Sequence, residues 1–359
     1  MKKTLRLSAP IIAACAAMSS AAGESIVVVS WGGSYEAAQR TAIFEPFAEY
    51  SGAMPAIRQH SGSVEEIRTR AEEESWDVID MQEDHAITAC EQGLLLDFDY
   101  RRIVSPYRDT RIEDDFVDGA FLDCAVAQNL YATVVAYNDS AFPGIKPSRI
   151  NDFFDVENFP GMRALPKSPD AILEWALLAI GVPVRQVYDL LSTDRGLRLA
   201  FRKLDEIRDS IVWWTDISNA VRMLNDGSAA MASGFNGRFF SASHDSGAPI
   251  TIIWDGRIIG YEVWAIVAST DQAKLAKEFV EFATSPVQLA KLSEIIPYGP
   301  ARNSALLRVG KNSVSGTPMN EHLPNAPHHK GRAIIRDSAW YSNTAGLRQR
   351  RFDAWLKTK

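Results

Sequence analysis

Short apolar runs alternate with longer amphipathic stretches along the chain. Ile26-Val27-Val28-Val29 is four apolar residues in a row and predicts a strand buried on both faces. Gly32-Gly33 then permits a tight turn. Glu36 to Thr41 has helical composition, with Ser34 as the expected N-cap and Gly52 as the stop beyond Phe44–Ser51. The same reading predicts strands at Ala56–Gln59, Trp76–Met81, Cys124–Tyr137, Ile211–Trp214, Ala229–Ala232, Thr251–Trp254 and Tyr261–Val267. Helices are expected from Ser63 to about Glu74, and over Ala86–Gln92, Ile172–Ile180, Val187–Arg208, Asn219–Asn225, Gln272–Ala283 and Ser338–Lys359. Ser233–Arg238 and Pro297–Pro300 read as loops. The opening β-α-β-α-β-α order indicates an α/β lobe. Pro143, Pro147 and Pro160-Gly161 mark a change of lobe, and the chain crosses between lobes more than once.

The N-terminus alters the picture of where such a protein works. Lys2, Lys3 and Arg6 precede an apolar, Ala-rich run to Met18, and Ser20-Ala21-Ala22-Gly23 offers small residues for cleavage. This is the pattern of a secretory signal peptide over residues 1–22. Its removal takes the formal charge from -7 to -10, a balance opposed to general nucleic-acid binding and mildly favourable to cationic ligands. Ile12-Ala13-Ala14-Cys15 also resembles a lipoprotein box, but the short preceding apolar run and the later cleavage site favour a soluble periplasmic product. Cys90 and Cys124 then remain, and sequence leaves open whether they form a disulfide or two buried thiols.

The chain carries no phosphate loop, no dinucleotide fingerprint and no Gly-x-Ser-x-Gly elbow. His322, His328 and His329 cluster in a Pro-rich stretch without carboxylate or Cys partners, which suits a surface loop better than zinc. What recurs is an aromatic or polar residue just past a predicted strand end: Trp31, Glu83, Asp84, Phe235 to Arg238, Glu262 with Trp264, and Tyr298. Aromatic faces with carboxylates suit an ammonium ligand through cation–π contact and charge-assisted hydrogen bonds. Each residue has a plainer reading as core, helix cap or surface ion pair, and their joint placement is what favours a site.

Ser30-Trp31-Gly32-Gly33-Ser34-Tyr35, Asp77-Val78-Ile79-Asp80, Asn151–Asp155, Phe159–Ala164, Gly234-Phe235-Asn236-Gly237-Arg238, Tyr261-Glu262-Val263-Trp264 and Tyr298-Gly299-Pro300 follow one another in family order. The chain resembles the periplasmic solute-binding proteins of ABC importers, in particular the spermidine/putrescine-binding-like group. The resemblance implies a type II periplasmic-binding-protein-like α/β fold whose two lobes hinge around a ligand cleft. Lobe 1 would span residues 23–136 and 260–320, lobe 2 residues 137–259, with a C-terminal helical segment over 321–359. It further implies a monomer that captures a small molecule without catalysis, metal or cofactor and delivers it to membrane permease subunits. Trp31 would wall the cleft beside Gly33 and Ser34. Glu83 or Asp84 would lie on the rim, and Phe235 and Asn236 on the second lobe. Glu262 would hold an amine, with Trp264 and Tyr298 nearby.

One position departs from that pattern: polyamine binders carry an aspartate where this chain has Arg238. A guanidinium there repels one end of a diamine and attracts a carboxylate. Two ligand classes follow. One is an ω-amino acid such as γ-aminobutyrate (GABA), with its amine on Glu262 and its acid on Arg238. The other is a polyamine such as putrescine or spermidine, with Arg238 turned outward. Ferric-ion capture on a similar fold, and a secreted hydrolase pairing Glu83 or Asp84 with Glu262, are the rival classes.

Overall fold

The computed structural model describes residues 25–102, 108–216 and 218–358, so the leader and Cys15 lie outside the described residues. The strands are Val27–Ser30 (β1), Ala56–Gln59 (β2), Val78–Gln82 (β3), Phe121–Leu122 (β4), Ala125–Asn138 (β5), Arg163–Pro166 (β6), Ile211–Trp214 (β7), Met231–Phe235 (β8), Ile250–Ile266 (β9), Gly299–Pro300 (β10) and Ala333–Ile335 (β11). They join in the order β2-β1-β3-β9-β5-β8-β6-β7, with β4 and β10 on β5 and β11 on β9. Parallel trios, β2-β1-β3 and β8-β6-β7, flank the antiparallel pair β9–β5. The inner strands of both trios, β1 and β3 in one and β6 and β8 in the other, are short and mostly buried, as parallel strands covered on both faces require. The edge strands β2 and β7 are more exposed.

The two central strands run the length of the molecule and link its two lobes. Val126–Leu130 and Ile259–Val267 belong to one apolar core with β1, β3 and the helix Ala273–Ala283. Val135, Tyr137, Ile253 and Ile258 belong to another with Phe153, Trp175 and Leu204. The β5–β9 register shifts between Thr133 and Val135, whose partners are Ile258 and Ile253. Trp254 to Arg257 therefore bulge out, with Gly256 at φ 82°. The expected strands Thr251–Trp254 and Tyr261–Val267 are the two arms of β9. Asp255 holds the bulge in place by accepting from Ile150 N at 3.1 Å and pairing with Arg332 at 2.7 Å.

Several local expectations are corrected. The first helix is Gly33–Gln39, with Gly32 rather than Ser34 at the N-cap (φ 77°). Val187–Arg208 breaks into Val187–Leu191 and Asp194–Asp205, because Thr193 caps a new helix by accepting from Gly196 N. Asn236 opens a helix, Asn236–His244, where a loop was expected. The His stretch is only partly a surface loop: His322 packs edge-on to Phe240, and His329 stacks on Trp254 at 3.9 Å. Cys90 and Cys124 form a disulfide joining the helix Glu83–Glu91 to the head of β5. The C-terminal helix Ser338–Lys357 buries Trp340, Tyr341, Phe352 and Trp355 in the second core. It also meets the helix Glu83–Glu91 through Thr88 and Ser342, 2.9 Å apart.

Candidate functional site

A cavity of about 490 Å³ opens where β1, β3 and β8 end, beside Glu262 within β9. Its first wall is the β1 turn: Trp31, Gly32, Gly33, Ser34 and Tyr35. Gly62 lets the chain pass beneath the indole, since a Cβ there would come within 2.7 Å of the Trp31 ring. His60 packs on the other part of that ring, with centroids 4.3 Å apart. Trp31 Nε1 donates to Glu262 Oε2 at 3.1 Å, which fixes indole and carboxylate together.

The opposite wall is the end of β8 and the helix after it: Phe235, Gly237 and Arg238. Phe235 meets Tyr131 edge-on at 5.4 Å. Tyr298 closes the space between the walls, with its ring 5.7 Å from that of Tyr35. A Cβ on Gly237 would approach the Tyr298 hydroxyl to 2.9 Å, so the glycine is what lets the helix and the phenol come so close.

The electrostatics are lopsided. Glu262 is 8% exposed, and burial together with the Asp80 carboxylate pushes it well above the usual carboxylate range. Burial pushes Asp80 up to about 7, although nearby donors on Tyr35, Gln39, Gln128 and Trp31 pull the other way. Tyr35 and Tyr298 are raised by burial first and then by these carboxylates; Tyr298 reaches about 12, and Arg238 alone among its neighbours acts in the opposite sense. Tyr298 thus stands within electrostatic reach of both Glu262 and Arg238. Arg238 is exposed and makes no ion pair among the described residues, while lining the same cavity. The cavity therefore offers a buried negative end lined by aromatic faces and an unpaired guanidinium.

Of the residues expected from sequence, the cavity brings together Trp31, Gly33, Ser34, Phe235, Arg238, Glu262 and Tyr298. Four others lie elsewhere. Trp264 is fully buried and packs edge-on against Phe279 in the core. Asn236 is buried and structural, accepting from Ala132 N and donating to Pro297 O. Asp84 pairs with Arg336 at 2.9 Å, and Glu83 accepts from Ser338 at 2.7 Å. These two carboxylates tie the C-terminal segment to the helix Glu83–Glu91, so neither stands opposite Glu262 as an acid/base partner. Sequence reading passed over Tyr35, Gln82 and Tyr131, which line the cavity, and Asp80 behind it. For Asp80 a signal existed: an acid inside the apolar run Val78–Met81 is costly unless it has a task.

The profile of bacterial extracellular solute-binding proteins matches residues 55–323. The γ-aminobutyric acid-binding protein of Pseudomonas aeruginosa is 33% identical over 345 residues, covering 95% of this chain and 94% of that protein. An ABC transporter substrate-binding protein from Bradyrhizobium japonicum superposes with a TM-score of 0.79 at 30% identity, covering 93% of this chain and 99% of its own. The Atu4243-GABA receptor superposes at 0.77 with 25% identity, over 94% and 98% of the two chains. The chain belongs to the bacterial extracellular solute-binding protein family and has the two-lobed α/β fold of its solved relatives.

Proposed function

We propose that this chain is the periplasmic substrate-binding component of an ABC importer and that its ligand is a short ω-amino acid of the GABA type. The observation that carries this reading is one cavity lined by the buried Glu262 carboxylate and by the unpaired Arg238. The ligand ammonium donates to Glu262 between the Trp31 and Tyr298 rings, and its carboxylate takes the Arg238 guanidinium. Such charge-assisted pairs are about twice as strong as neutral hydrogen bonds. A diamine would set its second cation against Arg238, and a ferric ion would face the same guanidinium. The similarity to a GABA-binding protein over almost the whole chain supports the same ligand.

Glu262 belongs to β9, whereas Arg238 follows β8 in the other lobe, so one zwitterion bridges the two. Closure about β5 and β9 then stabilises the shut form by the ligand's preference for it. The monomer releases its ligand unchanged to the permease subunits. The test is thermal melting with GABA, putrescine and spermidine, followed by mass spectrometry of the recovered ligand. A melting point raised by GABA, with GABA recovered intact, is expected. A rise with the polyamines alone, or a chemically altered ligand, would overturn the reading.

A further inference from the structure

Behind the indole wall lies a buried polar cluster that the ligand reading leaves unused. In the β3–β9 ladder Asp80 stands opposite Trp264 and Gln82 opposite Glu262. Asp80 and Glu262 are therefore diagonal neighbours on one face of adjacent strands, a spacing of about 7–8 Å along the backbone. Asp80 is fully buried, and Gln39 Nε2 donates to its Oδ2 at 2.5 Å. Ser30 Oγ donates to Gln39 at 2.6 Å, which holds that amide in place. Asp80 Oδ1 and the Gln128 amide on β5 make no hydrogen bond of good geometry, although Gln128, the Tyr35 hydroxyl and the Trp31 indole lie near enough to favour the Asp80 carboxylate.

The charged and titratable groups around this pair are few. Tyr35 approaches from the first helix, Tyr131 from β5, Tyr298 from the loop before β10, and His60 from the turn after β2, facing the Asp80 backbone. Arg336 and Asp84 act on Glu262 from farther off, and they are committed to each other. Among the described residues no cation is paired with either Asp80 or Glu262. Two buried carboxylates on one face of adjacent strands, with no cation beside them, resist being ionised together.

Resting on the ligand reading above, we propose that Asp80 is a positioning residue that makes amine capture proton-coupled: the empty site holds one proton between Asp80 and Glu262, and the arriving alkylammonium expels it to solvent. The exchange balances in charge, one cation in and one proton out. Burial holds both carboxyls above their ordinary range, Glu262 further by the Asp80 charge, and with Asp80 at about 7 the bound proton is largely in place at pH 6. Asp80 thereby tunes how strongly Glu262 answers a ligand's positive charge without touching the ligand.

Titration calorimetry with GABA at pH 6, in buffers of different ionisation enthalpy, counts the protons released. The wild type should release close to one, and its affinity should rise by up to about tenfold per pH unit between 5 and 6 and flatten above 7. Asp80→Asn keeps the shape and should release less than half a proton, with the rise in affinity moved to lower pH; melting curves verify its fold. No proton released by a wild type that binds GABA would overturn this inference and leave the ligand reading intact. No binding of GABA or of any other amine would instead overturn the ligand reading on which it rests.

Discussion

Replacing Glu262 by Gln should separate binding from stability, because the two respond to this carboxylate with opposite sign. The side chain is 8% exposed, receives the Trp31 indole N–H at 3.1 Å and shares its face with Asp80. Once the ligand ammonium is seated, removing its partner leaves a buried charge uncompensated, which costs about 3–5 kcal/mol. At about 1.4 kcal/mol per factor of ten, GABA affinity should fall by roughly two to three and a half orders of magnitude. The empty protein should gain instead. Glu262 and Asp80 are both raised in the folded state, so the stability they allow is fully present below about pH 4 and is lost as pH rises, through about 7 for Asp80. Glu262→Gln should therefore be neutral at pH 4 and stabilising at pH 8. Calorimetry at pH 7.5 with urea melts at both pH values tests the pair of claims. A loss of affinity below fivefold, or a destabilised empty protein at pH 8, would refute the reasoning.

Three other outcomes follow from particular contacts. Arg238→Asp should turn preference from GABA toward putrescine, read as the ratio of the two dissociation constants; unchanged selectivity would place Arg238 outside ligand contact. Gly237→Ala drives a Cβ to 2.9 Å from the Tyr298 hydroxyl, so GABA affinity should drop about tenfold or more while the melting point changes little. Breaking the Cys90–Cys124 bond, which spans 34 residues, by Cys90→Ala with Cys124→Ala should cost about 2–4 kcal/mol in urea melts and leave GABA affinity near wild type.

Local signals made much of the fold legible. Ser63 caps its helix by accepting from Glu65 N, Gly52 ends another in the left-handed conformation, and β2 and β7 fall where their apolar runs predict. The failures share a cause: distant groups overrode local chemistry. Thr251–Trp254 and Tyr261–Val267 read as two strands, yet Ile150 and Arg332 hold Asp255-Gly256 between them as a bulge within one long strand. Asn236-Gly237 reads as a turn, yet the Asn236 side chain is taken by Ala132 and Pro297 and the backbone continues as helix. At the cavity, strand-end residues such as Trp31 and Tyr298 could be anticipated because strand ends converge in α/β sheets. Glu83 and Asp84 obey the same rule but are claimed by Ser338 and Arg336, more than 250 residues later in the chain, and no local pattern shows that. Tyr131, in the middle of β5, carries no strand-end signal at all.

The claim that one cleft seats opposite charges at its two ends is tested most directly by titrating the wild-type protein with GABA and, separately, with putrescine under identical conditions. Stoichiometric GABA binding at least a hundredfold tighter than that of putrescine is the predicted result. Putrescine binding as tightly as GABA would contradict it, since a diamine would then tolerate Arg238 where a carboxylate is required.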